Sequence, residues 1–214
     1  MEKAIAILTS LLLIVGLVGR SGGKTSDSTD VSAATGESST TSESSTDAAQ
    51  GTQSQEGKKI LVVYFSPTGT TKGVAEKIAA IEKAELYEIK AAQEYSTADL
   101  DWNDEKSRST LEQNDRKARP KIGSEPLSLE GYGKIYVGFP IWWGEEPRIL
   151  DTFVESYNFD GITMIPFCTS GGSAIGRSGQ NLAEHAGSGD WREGQRFGGN
   201  ASESKLQSWI DGLK

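Results

Sequence analysis

The sequence predicts an α/β fold, a doubly wound parallel sheet with helices on both faces in three layers. Three observations carry this reading. Continuous apolar, β-rich runs recur through the second part of the chain, amphipathic helical segments separate them, and loops rich in Gly, Ser and Thr follow the apolar runs. A strand covered on both faces reads as an unbroken apolar run, whereas a half-exposed strand alternates. Strands alternating with helices form right-handed βαβ units, which place helices over both faces of a parallel sheet.

The elements follow in chain order. "ILVVYF" (60–65) is a buried strand, and "TTKGVAEKIAAIEKA" (70–84) is a helix with Val74, Ile78 and Ile81 on its apolar face. "AELYEIK" (84–90) alternates, as an edge strand does. "KIYVGFP" (134–140) and "ITMIPFC" (162–168) are again continuous and buried. Pro147, a favoured first helical residue, opens a helix over 147–157, and "SGQNLAEHA" (178–186) has a helical pattern. In "ASESKLQSWIDGL" (201–213), Leu206, Trp209, Ile210 and Leu213 share one face, with Asn200 and Glu203 as the expected capping box. A last short strand is expected within 190–197. Residues 91–131 are polar and poor in core residues, with one helix expected near 105–117.

The chain has 214 residues and a net charge of −8, so no basic stripe is present to neutralise phosphates, and nucleic-acid binding is excluded. Its one cysteine, Cys168, makes neither an internal disulfide nor a thiolate zinc site. At the end of a buried strand it reads as a small core residue. The one histidine, His185, has polar neighbours and reads as a surface residue rather than a catalytic base.

Lys3 followed by the apolar run 4–19 predicts an export signal or signal anchor over 1–20. "LVGRSGG" (17–23) resembles a bacterial lipobox with Arg20 where the lipid-bearing cysteine would stand, which argues against lipidation. Residues 21–57 are rich in Ser and Thr and have almost no large apolar residues, so they cannot offset their ordering entropy. Such a tether has a mean reach of about 35 Å as a random coil. The expected folded domain is 58–214. It is expected at the extracytoplasmic face of a bacterial membrane or secreted, with membrane contact through the N-terminal segment alone.

In a doubly wound sheet, ligands bind beyond the carboxyl ends of the strands. After the first strand, Ser66, Thr68, Thr70 and Thr71 offer hydroxyls, Gly69 allows a tight turn, and a helix N-terminus points its free N–H groups into the loop. Neutral donors of this kind suit a phosphate dianion. Lys72 lies one position further on and is expected to face solvent, and the G-x-x-x-x-G-K pattern of a nucleoside triphosphate site is missing. After the third long strand, "FPIWWGEEP" presents adjacent tryptophans; alternation along an extended segment turns one inward and leaves the other as a flat apolar wall for a planar ring. After the fourth, "CTSGGSAIGRSG" is rich in backbone donors that can approach a ligand closely.

These loops resemble those of the flavodoxin family. "YFSPTGTTK" resembles its S-x-T-G-x-T phosphate loop, "FPIWWGEEP" the loop whose tryptophan before glycine stacks on the flavin, and "TSGGS" the third, ring-contacting loop. The resemblance spans about 58–214 and implies a five-stranded parallel sheet in the order 2-1-3-4-5 that binds FMN non-covalently. It implies that Ser66, Thr68, Gly69, Thr70 and Thr71 hold the FMN phosphate. Trp143 would stack on the isoalloxazine, Gly144 would turn its carbonyl towards flavin N5, and Pro140, Ile141 and Trp142 would shape the pocket. Thr169, Ser170, Gly171, Gly172 and Ser173 would contact the pyrimidine edge. Many family members carry a tyrosine in the third loop that covers the outer ring face; this loop has no aromatic residue, so the outer face is either open, and able to admit a nicotinamide or quinone, or covered from 91–120 by a residue such as Trp102 or Tyr95. Glu145 and Glu146 are expected beside the ring, where negative charge lowers the flavin potential, or else as the acidic first turn of the following helix.

The resulting expectation is an FMN-binding electron carrier at the cell surface that meets redox partner proteins. The alternatives are an FMN-dependent NAD(P)H:quinone-type oxidoreductase and a binding module that keeps the fold without flavin.

Overall fold

The computed structural model describes residues 57–213. The expected signal segment 1–20, Arg20 and the tether up to residue 56 lie outside the described residues. The strands are β1 (Lys59–Phe65), β2 (Glu85–Ile89), β3 (Tyr132–Pro140), β4 (Thr163–Thr169), β5 (Asp190–Trp191) and β6 (Gln195–Phe197). The helices are α1 (Thr70–Glu82), α2 (Arg108–Asn114), α3 (Arg148–Glu155), α4 (Ser178–Ala186) and α5 (Glu203–Asp211). The sheet order is β2-β1-β3-β4-β5, with β6 also paired to β4, and every pairing is parallel. This is the predicted doubly wound, flavodoxin-like α/β fold.

The apolar runs become the central strands because both of their faces are covered. One face of β1, β3 and β4 packs Leu61, Val63, Ile135, Val137, Met164 and Cys168 against Leu150, Phe153 and Leu182 of α3 and α4. The other face packs Val62, Tyr136, Ile165 and Phe167 against Val74 and Ile78 of α1 and Leu206 and Ile210 of α5. The alternating β2 is the edge strand, as its pattern predicts.

The fifth sheet position departs from a continuous strand. β5 pairs with the start of β4 and β6 with its end, and the register advances by one residue between Met164↔Trp191 and Phe167↔Gln195. The break lies opposite Pro166. The Asp190 and Arg192 N–H groups bond the carbonyls of Ile162 and Met164, so the return bond to the Arg192 carbonyl would have to come from residue 166, which as proline has no N–H to give.

Two helix starts differ from the sequence reading. α5 is capped by Ser202, whose hydroxyl accepts from the Lys205 N–H at 3.3 Å, and not by an Asn200–Glu203 box. Pro147 is the N-cap of α3, with extended backbone (ψ 139°), rather than its first helical residue.

The polar stretch 91–131 is ordered through contacts other than a large apolar core. Ala91 bridges Ile122, and Ile122, Leu127 and Leu129 lie against the α3/α4-side core. Its helix, α2, is shorter than expected and is capped by Ser107. Tyr95 sits edge-on to Phe65 (5.7 Å) and Trp142 (5.4 Å), with the Arg108 guanidinium 4.0 Å above its ring.

Candidate functional site

Gly69 is the N-cap of α1 with φ +83°, a conformation open to glycine at little cost. That turn leaves Thr68, Gly69 and Thr70 exposed around the helix N-terminus, whose first N–H groups have no intrahelical acceptor. Ser66 Oγ accepts from the Lys72 N–H at 3.0 Å and so caps the helix, while its hydroxyl proton stays free to meet a ligand. Thr68 and Thr70 hydroxyls lie 3.3 Å apart. Thr71 is buried, and its hydroxyl lies 2.8 Å from that of Thr169, which ties the start of α1 to the end of β4. Lys72 is exposed, as expected. Gly199, which the sequence reading did not name, packs against this loop: a Cβ there would come within 2.5 Å of Thr70 Cγ2, so the loop after β6 lies directly on the turn between β1 and α1.

The tryptophan pair divides as expected, by a different device. Trp142 and Glu145 form an antiparallel bridge with reciprocal backbone bonds of 2.9 and 3.0 Å, so Trp143 and Gly144 are the central residues of a two-residue turn. Both have positive φ (48° and 85°), which is the backbone of a I′-type hairpin. Trp142 turns inward onto Phe65 and Tyr95, while Trp143 stays 47% exposed. A tryptophan in the left-handed region costs on the order of 1–3 kcal/mol, and such strain clusters at functional sites.

Thr68, Ile141, Trp142 and Trp143 line one cleft of about 360 Å³ together with Leu100, Trp102 and Ser109 from the 91–131 stretch. The volume is within the roughly 300–1,000 Å³ typical of small-molecule sites. Pro140 ends β3 just below it, paired with Thr169. The third loop lies elsewhere. Ser170 bonds the Ser173 carbonyl and accepts from Arg196 Nε at 3.0 Å, and Ser170 and Gly171 border a hollow shared with Arg196, Gly198, Gly199 and Lys205. Gly172 and Ser173 are exposed. The same loop approaches the hairpin at Gly176, where a Cβ would stand 3.4 Å from the Gly144 carbonyl oxygen.

Behind the hairpin lies a buried charge cluster. Gln113 Nε2 donates to the carbonyls of Trp142 (3.3 Å) and Glu146 (3.0 Å). Arg148 Nη2 donates to Glu145 Oε2 at 2.7 Å, and its Nη1 stands 3.7 Å from both Glu146 and Asp151. Asn181 donates to both Glu146 oxygens at 3.1 and 3.3 Å. Neither glutamate stands free at the ring wall, and neither is in the first turn of α3. Glu146 is fully buried, and Glu145 is paired to Arg148 and Arg116. The Arg148 hydrogen bond pulls the Glu145 carboxyl below its usual range, whereas burial pushes Glu146 up. Asp151 accepts no hydrogen bond among the described residues, and burial together with the Glu146 charge raises it to about 6. Cys168 is fully buried, and burial pushes its thiol up to about 12. His185 is a surface residue whose Nδ1 lies 3.0 Å from Glu155. Among the described residues no cluster of His, Cys, Asp or Glu has the arrangement of a metal site.

A doubly wound parallel sheet in the order 2-1-3-4-5, with a hydroxyl-rich loop and an exposed tryptophan lining one cleft, is the architecture of a flavodoxin-type domain. The flavodoxin family model matches residues 59–213, and the chain belongs to that family. It is similar to a candidate flavoprotein from Bacteroides eggerthii at 44% identity and a TM-score of 0.68, covering 73% of this chain and 98% of that one. A candidate flavoprotein from Bacteroides uniformis matches at 44% identity and a TM-score of 0.69, covering 73% and 99%. A flavoprotein from Lactobacillus acidophilus, solved in complex with FMN, matches at 25% identity and a TM-score of 0.55, covering 72% and 99%. No curated protein matches the chain.

Proposed function

We propose that the chain is an FMN-binding electron-transfer protein. The observation that carries this is the shared cleft: Thr68 of the phosphate loop and Trp143 of the strained hairpin line the same space. The exposed hydroxyls of Thr68 and Thr70 and the N–H groups opening α1 suit the FMN phosphate, with Ser66 adding its proton. Trp143 offers a face to the isoalloxazine. Thr71 and Thr169, already paired with each other, hold the two loops in register rather than reaching far into the cleft.

The flavin supplies the redox chemistry when bound, and the residues fix where it sits. The cleft lining contains no titratable side chain. Its exposed edge would meet protein redox partners. In this reading residues 1–20 direct export and residues 21–57 tether the carrier outside the cytoplasm.

The test is the visible absorption spectrum of the purified chain after addition of FMN and desalting. Flavin bands that persist, and weaken in Trp143→Ala, support the reading; a colourless protein rejects it. Reduction by a partner reductase, without steady-state turnover of NADPH and a quinone by the chain alone, identifies the carrier.

A further inference from the structure

We propose that the 91–131 stretch completes the ring site: Trp102 covers the ring face opposite Trp143, and the Ser109 hydroxyl bonds a heteroatom on the ring edge. This rests on the FMN reading and extends it to residues outside the sheet-edge loops that carry the family resemblance.

Ser109 is 1% exposed, yet its hydroxyl has no hydrogen-bond partner among the described residues. Buried hydroxyls are almost always paired, because an unpaired one forfeits its bonds to water. Its neighbours are satisfied: Ser107 and Thr110 hydroxyls lie 2.8 Å apart, and Thr110 Oγ1 donates to the Asp104 carbonyl at 3.0 Å. Gln113 Oε1 of the same helix is also unpaired, but Ser109 is the residue of α2 that lines the cleft. A hydroxyl can donate or accept, so it suits either a ring carbonyl or a ring nitrogen.

Trp102 is 74% exposed, the most exposed large apolar side chain among the described residues. It lines the same cleft as the half-exposed Trp143. The third loop contains no aromatic residue, so an outer cover from that side is missing.

The stretch is also held firmly enough to position these groups. Tyr95 donates to Glu112 at 2.5 Å, Arg108 pairs with Glu112 at 2.7 Å, and Tyr95 packs on Trp142 of the hairpin. The Ser109 N–H donates to the Asp99 carbonyl at 3.0 Å, which fixes the loop carrying Leu100 and Trp102 against α2.

The test titrates the apo chain with FMN and with lumiflavin, which has the ring alone, following flavin fluorescence. Trp102→Ala and Ser109→Ala should each weaken both ligands by the same factor, about tenfold for one stacking or hydrogen-bonding contact. Trp102→Phe should recover most of the loss. Thr70→Ala should weaken FMN and leave lumiflavin unchanged. If the unaltered chain binds neither ligand, the FMN reading itself fails and the proposal with it. If it binds FMN and Trp143→Ala weakens it, while Trp102→Ala and Ser109→Ala bind as before, the FMN reading stands and the proposal is overturned. Weakening confined to FMN would also overturn it, since that places the two residues at the ribityl phosphate.

Discussion

Gln113 reaches from α2 to the carbonyl oxygen of Trp142 at 3.3 Å, and through the same amide nitrogen to that of Glu146 at 3.0 Å. A side chain from the polar 91–131 stretch thus spans the base of the hairpin that presents Trp143. Replacement Gln113→Leu leaves the Glu146 carbonyl without this donor, while the Trp142 carbonyl keeps the Glu145 N–H, and should cost about 1–3 kcal/mol, read as a lower urea midpoint. It should also weaken FMN binding, because the turn loses the support for its strained Trp143. An unchanged midpoint would show that the amide contributes nothing to holding the hairpin.

Two glycines near the site should respond differently to alanine. Gly144 has φ +85° and nothing within 4 Å of an added Cβ, so Gly144→Ala should cost about 1–2 kcal/mol of backbone strain and still fold. At Gly138 an added Cβ would come within 2.2 Å of Phe167 Cζ in the buried sheet. Gly138→Ala should therefore be the more damaging, with Phe167→Leu restoring part of the loss. Urea unfolding of the three variants checks the order.

The buried charges behind the hairpin predict a pH dependence. Arg148 faces Glu145, Glu146 and Asp151, so Arg148→Met strands buried carboxylates and should cost about 3–5 kcal/mol at neutral pH. Asp151 is raised from 3.8 to about 6, so the fold favours its protonated form. Its contribution is present below pH 3.8 and is lost as pH rises through about 6. The stability of the unaltered chain relative to Asp151→Asn should therefore fall across that window and level off above it. Thermal melts at a series of pH values check this, and a flat difference would contradict the assignment.

Cys168 is fully buried, with its thiol raised to about 12. The native protein should resist iodoacetamide at pH 8, and the urea-unfolded protein should react at once. Fast labelling of the native state would mean that the end of β4 opens readily.

The sheet was legible in the sequence because burial on both faces leaves a continuous apolar signal in "ILVVYF", "KIYVGFP" and "ITMIPFC". The turn from β1 into α1 was legible for a similar reason: hydroxyls, glycine and a helix start are local features that need no distant partner. The warning in Pro166, a proline inside an apparently continuous run, was also present and explains the broken fifth strand. Only the tertiary structure decided the rest. Capping by Ser202 rather than Asn200 depends on where the chain turns, and the exposure of Trp143 depends on a positive-φ turn that alternation does not describe. Glu146, expected beside the ring or in the acidic first turn of α3, is fully buried beside Arg148 in the fold. Ser109 and Trp102 join the cleft through contacts of Tyr95, Arg108 and Gln113 with residues distant in the chain. Periodicity records which face of an element is buried; it does not record which side chains from separate loops meet, because that is set by packing in three dimensions.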